Sequence, residues 1–164
     1  MTTDLRLAGA VSGLFRERYP QMVRLAALLG ADDPEDIAQE AFARLIHKEH
    51  TLRNPDAAVA FVRACVCNLT RNRQRHLRVV RQHTHIAHDE ASSEHLVMLK
   101  EDHRELIAAL ATLPARRREA IVLRYWLDLS EREIATAMGI SPGAVKSYVS
   151  RGMDSLEQAL RGKV

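Results

Sequence analysis

The stretch Ser130-Glu-Arg-Glu-Ile-Ala-Thr-Ala-Met-Gly139-Ile-Ser-Pro-Gly-Ala-Val-Lys146-Ser-Tyr-Val-Ser-Arg151 spells two short helices joined by a tight turn. Ser130 is placed to cap the first helix, and Glu133 three residues on completes a capping box. Ile134 and Met138 fall on one side, and Gly139 supplies the backbone freedom that stops the helix. Ser141 caps the second helix with Pro142 at its first position, where a missing N–H costs nothing. Val145 and Val149 then face inward, leaving Gly143, Lys146, Ser147, Ser150 and Arg151 outward. Small residues followed by basic ones at the start of a second helix suit entry into a DNA major groove, so the stretch reads as a helix-turn-helix.

The rest of the chain is helical in the same sense. Leu14, Phe15, Met22, Leu25, Leu28 and Leu29 lay a stripe down a first long helix ending near Gly30. Asp33-Pro34 opens a second helix with Ile37, Ala41, Leu45 and Ile46 inward and carboxylates in its first turn, where they complement the dipole. A third, from about Asp56 to about Val80, buries Phe61, Val62, Cys65, Val66 and Leu69 and is almost purely basic beyond Leu69. Helical order resumes with Leu96, Leu99, His103, Leu106, Leu110 and Leu113. Ala115–Trp126 then puts Ala120, Ile121, Leu123 and one of Tyr125 or Trp126 inward. The expected architecture is all-α: two small helical bundles, 1–81 and 95–164, joined by a polar linker over 82–94, with the helix-turn-helix in the second.

Composition narrows the function. The chain has 164 residues, 46% of them hydrophobic but only 4% aromatic, so its cores are aliphatic. No apolar run approaches the roughly 20 residues of a membrane span, and the first residues lack the order of a secretory signal; a cytoplasmic location is expected. Net charge of +3 hides an asymmetry: residues 57–88 contain six arginines and no acidic side chain. A localised cationic stripe is the footprint of a polyanion partner. Cys65 and Cys67 diverge by about 200° on a helix and read as core thiols. His76, His83, His85 and His88 read as a polar, His-rich segment rather than as a metal site. No phosphate loop, nucleophile elbow or zinc-protease motif is present; neither an enzyme nor a cofactor is expected.

Three blocks carry a resemblance. Asp33-Pro-Glu-Asp-Ile-Ala-Gln-Glu-Ala-Phe-Ala-Arg-Leu45 resembles the second region of bacterial sigma factors. Phe61-Val-Arg-Ala-Cys-Val-Cys-Asn68-Leu-Thr-Arg-Asn72-Arg-Gln-Arg75 resembles the promoter-opening helix that follows it. Leu113 through Leu160 resembles the fourth region. Their order and the short chain resemble the extracytoplasmic-function (ECF) class.

The resemblance implies a dissociable specificity subunit of RNA polymerase. Asp33, Glu35, Asp36, Gln39 and Glu40 would dock on the clamp coiled coil of the core β′ subunit, with further contact to β. Phe61, Asn68, Arg71, Asn72 and Arg75 would meet the minus-ten element, with Arg73 and Arg78 adding phosphate contacts. Arg124, Lys146, Ser147, Ser150 and Arg151 would meet the minus-thirty-five element. It further implies promoter DNA and an anti-sigma factor as partners, and a role for Asp89, Glu90 and Glu94 in the RNA path. Phe61 stands where many relatives carry Trp, and Ala64 and Cys67 where Arg is frequent, so the promoter sequence does not transfer.

Two other classes fit parts of the pattern. A stand-alone LuxR-type regulator would use the helix-turn-helix but leave Asn68 and the arginine-rich third helix unexplained. A non-DNA helical adaptor would use the acidic helix alone.

Overall fold

The computed structural model describes residues 2–48, 54–84 and 103–162, with side chains at 9–48, 54–82 and 103–162. Every regular element among them is helical. In chain order they are α1 (Thr2–Leu28), α2 (Pro34–Lys48), α3 (Pro55–Thr84), α4 (Arg104–Thr112), α5 (Ala115–Ile121), α6 (Glu131–Met138) and α7 (Pro142–Arg161).

Local chemistry sets most boundaries. α1 stops where Gly30 turns to φ 92°, and the Ala31 N–H reaches back to the Ala26 carbonyl. Asp33 accepts from the Asp36 N–H at the start of α2, and Asn54 from the Ala57 N–H at the start of α3. Met22, Leu25 and Leu29 of the first stripe are buried. Phe15 is part-exposed, yet it stacks on Tyr19 at 4.7 Å and meets Phe42 edge-on at 5.1 Å.

Three expectations are corrected. Ile46 is 55% exposed rather than inward: it follows buried Leu45 by about 100° of helix rotation, which carries it off the packed face. α3 continues past Val80 to Thr84, so the start of the expected linker is helical. An established hydrogen-bond ladder propagates through polar residues more cheaply than it nucleates. Ala115–Trp126 is not one α-helix, because α5 ends at Ile121 and Val122–Trp126 winds as a π-turn. The wider turn re-phases the side chains, keeping Leu123 buried and Trp126 packed on the core while Tyr125 is 60% exposed. Residues 85–102, with Asp89, Glu90, Glu94, Leu96 and Leu99, lie outside the described residues.

Periodicity left the arrangement of the two halves open; the structure packs them together. Leu25, Ile37 and Val66 of the first half share one core with Leu123, Ile134, Met138 and Val145 of the second. α3 lies directly against α6. A smaller satellite cluster, Ala109, Leu110, Leu113, Ile121 and Leu156, holds α4 and α5 to α7.

Candidate nucleic-acid interface

The helix-turn-helix is built as its sequence implies. The Ser130 hydroxyl accepts from the Glu133 N–H at 3.2 Å, and the Glu133 carboxylate from the Ser130 N–H at 2.9 Å. Gly139 takes a left-handed φ of 66°, and the Ser141 hydroxyl accepts from the Ala144 N–H at 3.2 Å. Ile134, Met138 and Val145 are buried beneath the pair. This orientation leaves Lys146, Ser147, Ser150 and Arg151 exposed along one side of α7. Lys146 Nζ stands 4.0 Å from Glu131 Oε1, both side chains open to solvent, while no side-chain hydrogen bond or ion pair engages Ser147, Ser150 or Arg151 among the described residues. Arg124 is exposed and donates to the Leu129 carbonyl at 3.1 Å, which ties the π-turn to the start of α6.

α3 presents a second exposed polar row. Asn68, Asn72 and Arg75 are all exposed, and Phe61 is half-buried with Lys48 Nζ 5.4 Å above its ring. Arg71 differs. It turns into the contact between the halves, donating to the Ala137 carbonyl at 3.2 Å with Nε 3.3 Å from Glu119 Oε1. Arg73 is engaged as well, bridging Asp36 and Glu40 of α2.

The acidic face of α2 is therefore part structural. Asp33 caps the helix, Gln39 donates to the Tyr19 hydroxyl at 3.4 Å, and Asp36 and Glu40 share Arg73. Asp33, Glu35, Asp36 and Gln39 nevertheless keep exposed surface, and Glu40 keeps part. The result is one acidic strip lying beside the basic row of α3.

Sequence reading missed the polar cluster between the halves. Glu119 is 2% exposed and faces Arg71 and Arg116, with the Cys67 thiol beside it. Burial pushes its carboxyl above the ordinary range, opposed by those two guanidiniums and by hydrogen bonds from Arg116 and Cys67. Burial likewise raises the Cys67 thiol far above its usual value, which makes it an inert thiol in this state. The run Arg116-Arg117-Arg118 splits three ways. Arg116 pairs with Glu119, donates to the Met138 carbonyl at 2.7 Å and sits over the Tyr148 ring; Arg117 donates to the Ser155 hydroxyl at 2.9 Å. Arg118 crosses to the first half and donates to the Leu29 carbonyl at 3.1 Å. Three identical neighbours give no sequence signal for such a division. Among the described residues no group of His, Cys, Asp or Glu is placed to hold a metal ion, and no helix is long and apolar enough to cross a membrane.

Comparison with known proteins places this geometry. Residues 103–156 match the family model of sigma-70, region 4. RNA polymerase sigma-E factor of Streptomyces coelicolor is 31% identical over 151 residues, covering 88% of this chain and 82% of that protein. The chain belongs to the ECF sigma factors of bacterial RNA polymerase. Sigma factor SigV of Bacillus subtilis is 32% identical over 130 residues, 74% of this chain and 72% of that one. The fold of this sigma factor is that of Bartonella quintana RpoE, solved in complex with the anti-sigma factor NepR: TM-score 0.77, 23% identity, 90% of this chain and 94% of the other covered. CnrH, solved with the cytosolic domain of CnrY, is similar at a TM-score of 0.64 and 21% identity, with 96% of each chain covered. Membership sets aside the stand-alone regulator and the adaptor, neither of which accounts for a likeness running through both halves of the sigma factor.

Proposed function

We propose that this sigma factor directs core RNA polymerase to its own set of promoters and helps open the minus-ten region. The observation that carries the proposal is a pair of exposed polar rows, one in each half, within a chain whose likeness to sigma factors spans both. On α3, the Asn68 and Asn72 amides can each donate and accept, which suits an unpaired base, while Arg75 suits the phosphate beside it. Phe61 offers a partly exposed ring for stacking. Arg71 belongs to the same row by position and reaches DNA only after leaving Glu119.

On α7, Arg151 carries a planar fork that matches guanine O6 and N7, worth about 1–3 kcal/mol of discrimination. Ser147 and Ser150 add short, adaptable contacts, and Lys146 and Arg124 grip phosphate as cations. Asp33, Glu35, Asp36, Gln39 and Glu40 form the strip that docks on the β′ clamp coiled coil, with Arg73 holding Asp36 and Glu40 in register. Neither half need bind DNA tightly alone, because carriage on one polymerase raises the local concentration of the second contact. The chain performs no catalysis itself and works in the cytoplasm, and an anti-sigma factor is its expected antagonist.

The test is reconstitution with core polymerase on genomic promoter fragments, followed by mapping of transcript starts. Discrete starts that disappear with Asn68→Ala and with Arg151→Ala are expected. Initiation that survives both changes at wild-type levels would overturn the assignment of the two rows.

A further inference from the structure

Two arginines near the start of α5 are engaged with α7. Arg117 Nη1 donates to the Ser155 hydroxyl at 2.9 Å, and that hydroxyl donates in turn to the Arg151 carbonyl at 2.9 Å. A relay therefore runs from α5, through one side chain, to the backbone of the residue proposed to read a guanine. A serine that bonds back four residues along its helix tends to bend it locally. Here the guanidinium fixes the hydroxyl in that pose, and a charged donor strengthens the second bond of the pair.

Arg116 grips the same helix two turns earlier. Its guanidinium carbon lies 5.9 Å from the centroid of the half-buried Tyr148 ring, within the range of a cation–π contact. The same group donates to the Met138 carbonyl at 2.7 Å and to Glu119 at 3.0 Å. Met138 ends α6, so one guanidinium ties α5 to both helices of the helix-turn-helix. Three such contacts at once need a planar fork, which a lysine lacks.

Between the two grips α7 rests on α5 with no side chain in between. A Cβ on Gly152 would lie 2.6 Å from Ile121 Cγ1 and 3.0 Å from the Arg117 carbonyl. Tyr148 and Ser155 stand about 10 Å apart along the helix axis, and Gly152 falls between them. A helix on a bare crossing has little to stop it rolling about its own axis. An outward side chain stands roughly 6 Å from that axis, so a roll of about 10° moves it about 1 Å. A contacting group must be held within about 0.5 Å, so roll of that size spoils a two-pronged base contact.

We infer that Arg116 and Arg117 are positioning residues for minus-thirty-five recognition: they pin α7 on either side of Gly152 and set the roll at which Arg151 meets the groove. Their effect on base choice passes through α7. This rests on the promoter function proposed above, while its physical content is a mount within the second half alone.

The test uses holoenzyme assembled from core polymerase and the full-length factor. Competition binding compares three DNAs: a promoter fragment located by transcript mapping, a copy changed at one base pair of its minus-thirty-five element, and an unrelated duplex. The base pair chosen is the one at which Arg151→Ala loses its preference. Arg117→Ala and Ser155→Ala should each lower that preference by about five-fold, the low end of what one base contact supplies. Binding to the unrelated duplex and the urea midpoint should stay near wild type. Ser155→Thr keeps the hydroxyl and should keep the preference, while Tyr148→Leu should lower it. Added to Arg151→Ala, Arg117→Ala should cost nothing more, because there is no longer a fork to misplace. In the free factor, amide exchange over α7 should quicken in Arg117→Ala and Ser155→Ala.

Positioning is overturned if both variants keep the wild-type preference, or if the cost of Arg117→Ala adds in full to that of Arg151→Ala. It is equally overturned if binding to all three DNAs falls in step with the urea midpoint, which marks a merely structural role. Unchanged amide exchange overturns the mount whatever the DNA result. If Arg151→Ala alters preference at no base pair, the minus-thirty-five assignment fails and positioning fails with it; quickened exchange then leaves the mount as a structural device only.

Discussion

α3 and α7 carry the two rows proposed to touch DNA, and they treat their polar side chains in opposite ways. On α7 the outward residues Ser147, Ser150 and Arg151 make no side-chain bond among the described residues, and the helix is held by what lies beneath it: Val145, the Ser141 cap and the capping box of α6. On α3, Arg71, Arg73 and Gln74 are spent on Glu119, on the α2 carboxylates and on the Leu29 carbonyl. Only Asn68, Asn72 and Arg75 of the sequence-expected row are left facing outward beside half-buried Phe61. α3 packs against α1 and α2 of its own half and against α6 of the other, whereas the helices against α7 are α4, α5 and α6 of its own half. Arg71 and Arg73 of the first are captured by the fold, whereas Arg151 of the second remains for a partner.

If this contrast is right, function and stability should separate on α7 and mix on α3. The largest effect is expected below the α7 row. Met138→Ala empties a fully buried site in the shared core and should cost about 2–5 kcal/mol in urea unfolding. Arg151→Ala should leave that unfolding curve in place yet weaken preference among promoter variants by about 1–3 kcal/mol, read from competition binding of holoenzyme. A matching loss of stability would show that Arg151 is structural after all. Ser130→Ala removes one half of the capping box and should lower stability by about 1 kcal/mol, with DNA binding lost only as α6 frays.

Glu119 gives a pH test of the contact behind Arg71. Its carboxyl is raised chiefly by burial, so the folded chain holds this proton more tightly than the unfolded chain. Its contribution to stability is therefore fully present below the ordinary carboxylate value and is lost as pH rises through the raised one. Arg71, Arg116 and the Cys67 thiol face the same group and limit the shift. Wild-type Tm should fall relative to that of Glu119→Gln as pH increases from about 5. Parallel profiles would mean that Glu119 is as comfortable ionised in the fold as out of it. The smallest effect is expected at Arg73. Its pairs with Asp36 and Glu40 are about half exposed, so Arg73→Ala should change stability by less than about 1 kcal/mol. Its signature should instead be weaker core binding, as the acidic strip loses its brace.

Much of this was legible in the chain. Ser130, Glu133, Gly139, Ser141 and Pro142 act on backbone groups within four residues of themselves, and each does what its chemistry predicts. The apolar stripes of α1 to α3 were legible for the same reason, since burial follows helical period. Ile46 failed because period assigns a face without saying how far the neighbouring helix extends. Tyr125 and Trp126 were undecided because a π-turn shifts phase by a fraction of a residue, which no count along the sequence detects. The α7 row was readable as a site, while the α3 row was readable only in part, because Arg71 and Arg73 look identical to Arg75 in one dimension.

By itself the sequence determined the helices, their caps, the aliphatic cores and the position of the helix-turn-helix, because these depend on interactions spanning a few residues. Tertiary structure alone decided which arginines would be spent. Arg116, Arg117 and Arg118 are consecutive and chemically the same, yet their partners lie on α5 and α6, on α7, and across the molecule at Leu29. A guanidinium on a flexible stem takes the nearest acceptor that packing supplies, and which acceptor is nearest is set by contacts up to 89 residues away in the chain.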